Sequence, residues 1–347
     1  MSRRTVARRS AGSGFRGTTM LQCRTTVTKA SRLRLERRVA LWLQRFVLLL
    51  LGGLLLLPGC GSGEQARTAP ADPGRPPLAD EVRLVVSRDF GRQIMTDVTA
   101  PVTKDITVMR LLAESVEVET AYGGGFVKAI AGVASTHGSV AETNAEDWFY
   151  WVDGLMADVG AADFKLRGGQ TVWWDYHAWA DAMYLPTAIF ALPAPWADGE
   201  PLLVTNQADA AVRAWAEDAG VSLGATVPFG RKAPHQAVVV ATAAEAEAVP
   251  WLMSRLAGHD GGVELVTVAS GRLVLQALDG STGPDASGVC LALPDPDDMD
   301  MPLLVLLVTS EEDLGPLLET VTPASVSARL GIALVDGKPV PLPWRAD

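Results

Sequence analysis

The sequence predicts an α+β protein: a small mixed sheet crossed by one helix in the first half, and an α/β arrangement in the second. Three observations carry this. Five of the ten Trp (Trp148, Trp151, Trp173, Trp174, Trp179) fall between residues 144 and 179, in two short aromatic runs, 147–152 and 172–179. Both runs are bounded by Gly-containing turns, Asp153-Gly154 and Gly168-Gly169, as strands of aromatic and β-branched residues usually are. Only one stretch with helical spacing, 106–116, stands among the apolar runs before residue 180, whereas after residue 200 short apolar runs alternate with helical ones.

The first sixty residues are expected to be targeting sequence rather than fold. They hold twelve Lys/Arg and one acid, Glu36. The apolar run 46–57 is twelve residues long, too short for a span of ~20 residues but suited to the core of a signal peptide. It ends in Leu57-Pro58-Gly59-Cys60, which resembles a bacterial lipobox and implies a signal peptide at 1–59 and lipidation of Cys60. The rest of the chain then keeps 18 basic and 39 acidic residues. So acidic a body argues against nucleic acid or an anionic membrane face as partner, and it needs the lipid to stay at a membrane. Cys290 would be the one other Cys of the mature chain, so no intramolecular disulfide is expected.

Residues 60–80, rich in Pro, Gly and Ala, are expected to be a semi-extended tether. A hairpin follows, with strands at 82–86 and 93–98. Thr107 is placed to cap the helix 106–116, whose Val108, Leu111, Leu112 and Ser115 recur at helical spacing. A strand is expected at 126–133. In the aromatic strands, alternation sets Trp148, Tyr150 and Val152 opposite to Phe149 and Trp151, and Val172, Trp174 and Tyr176 opposite to Trp173, Asp175, His177 and Trp179. Both faces carry aromatics, so one face should touch something other than the helix.

The stretch DWFYWVDGLMADVGAADFKLRGGQTVWWDYHAW, preceded by ITVMRLLAES and YGGGFVKAIAGVAS, resembles the bacterial relatives of the transcobalamin and intrinsic-factor C-terminal domain. The resemblance covers residues 81–181. It implies a β-grasp fold at 81–184, which the order β-β-α-β-β-β also fits, and a binding role with a corrinoid among the candidate ligands.

Residues 185–199, with three Pro, are expected to join this domain to an α/β domain at 200–347. Strands are expected at 201–205, 237–241, 265–268, 273–277, 303–308, 332–335 and 339–342. Helices are expected at 208–219, at 243–256 with a bend at Pro250, and from Ser310. The wholly apolar 303–308 is the candidate central strand, and Asp336-Gly337 a hairpin turn.

Catalytic motifs are scarce. Neither G-x-S-x-G nor a Walker loop occurs, and no His (His137, His177, His235, His259) pairs with another His or with Cys at metal-ligand spacing. Residues 123–125 are expected to be a bend, 295–300 a solvated acidic loop, and Cys290 an inert core thiol. No catalytic residue, metal or cofactor is therefore expected. The chain is expected to be a non-catalytic, lipid-anchored extracytoplasmic binding protein. Trp151, Trp173, Asp175, His177 and Trp179 are its candidate ligand contacts, because pockets favour apolar walls with a few polar groups near domain junctions. Its partners would be the membrane through the lipid and a small molecule (a corrinoid among the candidates) or a transporter. The alternative is a cell-envelope interaction module with no small ligand.

Overall fold

The computed structural model describes residues 68–346 apart from 137–144, 183, 198, 208, 231–235, 259–262 and 296–299. All of these belong to one compact unit, Leu49–Asp347. The targeting segment 1–59 and Cys60 lie outside the described residues, as do His137, His235, His259 and most of the acidic loop. Among the described residues, no helix is long and apolar enough to cross a membrane.

The α+β expectation holds, with strand content spread over several sheets. The first sheet is built on the hairpin β2 (Glu81–Arg88) and β3 (Gln93–Pro101). The aromatic strands β7 (Glu146–Val152) and β9 (Thr171–Ala178) pair antiparallel, and β9 then lies parallel beside β2. Short edge strands β1 (Ala69–Pro70) and β8 (Leu155–Met156) complete the order β1-β3-β2-β9-β7-β8. Helix α1 (Val108–Ser115) begins where Thr107 Oγ1 accepts the Arg110 N–H, as the cap position requires. Its Val108, Leu111 and Leu112 share one core with Leu84, Val86, Trp148, Trp174 and Tyr176 of the sheet.

The strand expected at 126–133 is two: β5 (Phe126–Ile130) turns through Ala131 and Gly132, both at positive φ, into β6 (Val133–Ala134), beside β4 (Val118–Ala121). The tether is corrected too. From residue 68 it lies on the body: β1 pairs with β3, and Glu81 accepts from Arg75 and from the Leu78 N–H.

The second large sheet has the order β11-β10-β12-β17-β16-β18-β19. Its strands are β10 (Leu202–Thr205), β11 (Thr226–Val227), β12 (Ala237–Thr242), β16 (Gly288–Leu293), β17 (Leu303–Val308), β18 (Gly331–Val335) and β19 (Lys338–Leu342). Leu303–Val308 is central, as expected, and alternates between two cores: Leu303, Val305 and Leu307 on one side, Leu304, Leu306 and Val308 on the other. Helices α2 (Asp209–Ala219) and α5 (Leu314–Thr320) cover the second of these sides, and α3 (Ala243–Glu247) with α4 (Pro250–Leu256) cover the first. The helix expected at 243–256 breaks because Pro250 has no N–H to continue it and instead opens α4.

The expectation of plain strand–helix alternation is corrected. β10, β12 and β17 run parallel, but β16, β18 and β19 are antiparallel additions. The strands β13 (Val266–Ala269), β14 (Arg272–Gln276) and β15 (Thr282–Ala286) form a separate small sheet over the first core.

Candidate functional site

The aromatic strands place the expected residues together. Trp151 lies opposite Trp173 across the β7–β9 pair, their rings stacked at 4.9 Å. His177 is sandwiched between Phe90 and Phe149, both at 4.4 Å. The expectation that this face is open to a ligand is corrected: Trp151, Trp173 and Asp175 are 0% exposed and His177 3%. Leu185, Ala188 and Phe190 cover them from the junction, and Ala328 and Leu330 cover them from the far half of the chain. This is why both faces carry aromatics. One packs on α1 and the other on the second sheet's block, and a sheet buried on both sides needs apolar residues in both registers. Trp179 stands just past the end of β9, half-buried, its backbone N–H bonded to the Ala145 carbonyl at 2.8 Å.

At the heart of the face is a carboxylate with four donors. Asp175 Oδ2 accepts from Ser87 Oγ at 2.5 Å and from the Gly91 N–H at 3.0 Å, while Oδ1 accepts from the Phe90 N–H at 2.9 Å. His177 Nδ1 meets the same Oδ1 at 3.0 Å, and its Nε2 meets the Ala182 carbonyl at 3.1 Å. A carbonyl only accepts, so the hydrogen of that contact comes from Nε2. Ser, Asp and His are thus adjacent, but wired Ser–Asp–His. A nucleophilic triad needs the His between the other two. Ser87 Oγ is also tied by the Trp173 indole N–H at 2.7 Å and is wholly buried. The cluster therefore serves to fix the 89–91 turn. Arg329 completes it by donating to the Phe90 and Gly91 carbonyls. Burial, then the neighbouring Arg92, lowers the Arg329 pKa, while Asp175 opposes that shift.

A different site emerges at the junction. A cavity of about 400 Å³ lies between the tether (Pro73, Pro76, Pro77), the segment Phe190–Pro195 and the end of β9's leading loop (Arg167, Gln170). That volume falls in the range of small-molecule pockets. Arg83, 4% exposed, lines it and is held by Asp97 through Nε at 2.8 Å and Nη2 at 2.6 Å, and by Ser327 Oγ at 2.8 Å. Asp153 lines it as well, its oxygens accepting from the Thr171 N–H and from Gln170 Nε2, each at 2.8 Å. Sequence reasoning missed all of these. The one available signal was Arg83 itself, a charge inside the apolar run Val82–Val86, but its partners lie 14 and 244 residues away.

Elsewhere the expected roles hold or shift. Cys290 is buried, and burial pushes its thiol far above the usual range. Asp295, expected in solvent, is 0% exposed and lies 3.4 Å from the buried Arg255. Among the described residues, no group of three or more His, Cys, Asp or Glu is placed to hold a metal ion.

Residues 105–178 match the family model of a domain of unknown function, DUF4430. This family is associated with transcobalamin-like proteins. The match spans about a fifth of the chain, from just before the cap of α1 to the end of β9. Trp151, Trp173, Asp175 and His177 fall within the DUF4430 match and Trp179 just beyond it, while the β2–β3 hairpin that supplies Ser87 and Arg83 precedes it. No curated protein and no solved structure matches the chain.

Proposed function

We propose that the chain is a non-catalytic, lipid-anchored extracytoplasmic binding protein that holds a small molecule in the junction cavity, for hand-over to a transporter. The observation that carries this reading is the cavity of about 400 Å³ at the meeting of tether, first sheet and junction segment. Junctions between sheet blocks are favoured places for such sites. The basic, apolar leader ending in Cys60 supports the anchor. The hairpin β2–β3, the crossing helix α1 and the parallel β2–β9 pair support reading the first block as a β-grasp, and the parallel β10, β12 and β17 support an α/β core in the second.

The test is a thermal-shift screen of small metabolites on the full-length protein in detergent, repeated with Ala197→Trp. Ala197 is exposed and lines the cavity, so an indole there fills it without disturbing a core. At least one compound should raise Tm in proportion to its concentration, as any ligand of the native state does, and Ala197→Trp should abolish that shift. A panel without any shift, or a shift indifferent to Ala197→Trp, refutes the reading. Palmitate labelling tests the anchor separately: Cys60→Ser should lose the label and accumulate as precursor.

A further inference from the structure

We propose that the junction cavity is built for a small organic carboxylate, with its carboxyl group on Arg83 and Arg167 and its apolar body between proline walls. This rests on the reading of the cavity as a ligand site and names the class of ligand.

Arg83 is the first argument. A guanidinium has five N–H donors in a fixed fork, and a buried one needs them all engaged. Nε and Nη2 are taken by Asp97 and Ser327. Nη1 makes no hydrogen bond to any of the described residues. Since Arg83 lines the cavity, its two remaining N–H groups are what it has to offer an occupant.

Arg167 is the second. It stands exposed at the same cavity, its backbone N–H pinned by Gln170 Oε1 at 2.8 Å, and its guanidinium enters no ion pair among the described residues. The acids nearby are already engaged. Asp97 is committed to Arg83, and Asp153 accepts from Thr171 and Gln170. In a body with 18 basic and 39 acidic residues after Cys60, two arginines lining one cavity is against the trend.

The walls settle the rest of the ligand. Pro73, Pro76 and Pro77 on one side and Phe190, Pro193 and Pro195 on the other present rigid, apolar rings without donors. Rigid rings lose little entropy when they are covered. A phosphate group would call for further donors such as a run of free backbone amides, and the Gly169 N–H here is spent on the Glu81 carbonyl. A neutral ligand can give Arg83 Nη1 an acceptor but no charge to pair with the guanidinium.

The experiment compares 4-fluorobenzoate with its neutral counterpart 4-fluorobenzyl alcohol by ¹⁹F NMR, on full-length protein in detergent with empty micelles as reference. The acid should bind about ten-fold or more tightly than the alcohol, the scale of one charge-assisted contact. Arg167→Gln, an exposed change that leaves the fold alone, should weaken the acid several-fold and leave the alcohol unmoved, and Ala197→Trp should block both. Equal binding of the two probes, both blocked by Ala197→Trp, overturns the carboxylate class and leaves the cavity as a ligand site. Binding of neither probe, or an acid affinity unmoved by Arg167→Gln, also overturns this inference, and the metabolite screen then decides separately whether the cavity binds anything.

Discussion

Oδ1 of Asp175 lies 3.0 Å from Nδ1 of His177, two residues further along the same strand, and neither side chain reaches solvent. The other three donors to this carboxylate all come from the end of β2 and the turn after it, where Asp89, Phe90 and Gly91 hold positive φ angles of 57°, 55° and 74°. Two of the three are not glycine, so the turn is strained and needs external support. Asp175 gives that support from below, and Arg329 gives it from the other block.

Asp175→Asn should therefore be costly although it changes no volume. An amide keeps one acceptor and turns an N–H2 group toward backbone donors, so at least one buried donor loses its partner. The expected loss is about 1–3 kcal/mol, the cost of leaving a buried donor without its partner. Urea denaturation measures it, and a loss below about 1 kcal/mol, the level of an ordinary hydrogen bond, would show that the network is dispensable.

Gly91 tests the contact between the blocks, with a control built into the chain. A Cβ on Gly91 would lie 1.8 Å from the Ala328 carbonyl oxygen, whereas one on Gly123, at the same φ of 74°, would meet nothing within 4 Å. Gly123→Ala should cost only the backbone strain, about 1–2 kcal/mol. Gly91→Ala adds a clash with rigid backbone, so its Tm should fall well below that of Gly123→Ala. Equal Tm values would mean that the two blocks separate at this point at no cost.

The two-sided aromatic pattern was legible in the sequence because period two is a local property of a strand. It assigned Trp148, Trp174 and Tyr176 to one face and Trp151 and Trp173 to the other, and both cores agree. What covers a face is not local. Ala328 and Leu330, which close over Trp173, come more than 150 residues later and carry no mark of that role in their own neighbourhood. β15 escaped for another reason. Gly283 and Pro284 are poor strand formers, but Gly283 is needed where the Trp344 ring approaches to 2.7 Å of where a Cβ would stand. The cavity was invisible for both reasons at once, since its walls come from the tether, the junction and α6 (Pro323–Val326).

Trp173 and Trp179, six residues apart, should separate cleanly on mutation. Trp173 is wholly enclosed, stacked on Trp151 and 5.2 Å from the Phe190 ring, so Trp173→Ala should cost about 3–5 kcal/mol. Trp179 is only half-buried beyond the strand end, and Trp179→Ala should cost clearly less. Near-UV circular dichroism adds a second readout: the first change should remove most of the signal of the stacked indole pair, and the second should leave it. Similar stability losses for the two variants would contradict the enclosed face.

The acid limit of stability should be set in part where the parallel strands end. Glu245, in the first turn of α3, bonds back to the capping Thr242 at the end of β12: burial raises its pKa, but hydrogen bonds from the Thr242 backbone, Asn206, the Thr242 hydroxyl and Gln207 outweigh this and hold it below the ordinary value of 4.5. Asp313 does the same after β17, burial again opposed by Thr309 and Ser310, and ends below 3.8. A depressed folded pKa stabilises the native state above the unfolded value, and this contribution is lost as pH falls through the folded one. Both carboxylates are largely solvent-screened, so each effect is modest. Glu245→Gln should thus be less stable than wild type near neutral pH, because the amide cannot accept at both oxygens. As pH drops below the carboxylate range of about 4, the wild type should lose its advantage and the two urea midpoints should converge. A gap that stays constant from neutral pH down to about pH 3, well below that range, would mean that Glu245 acts through packing and not through its charge.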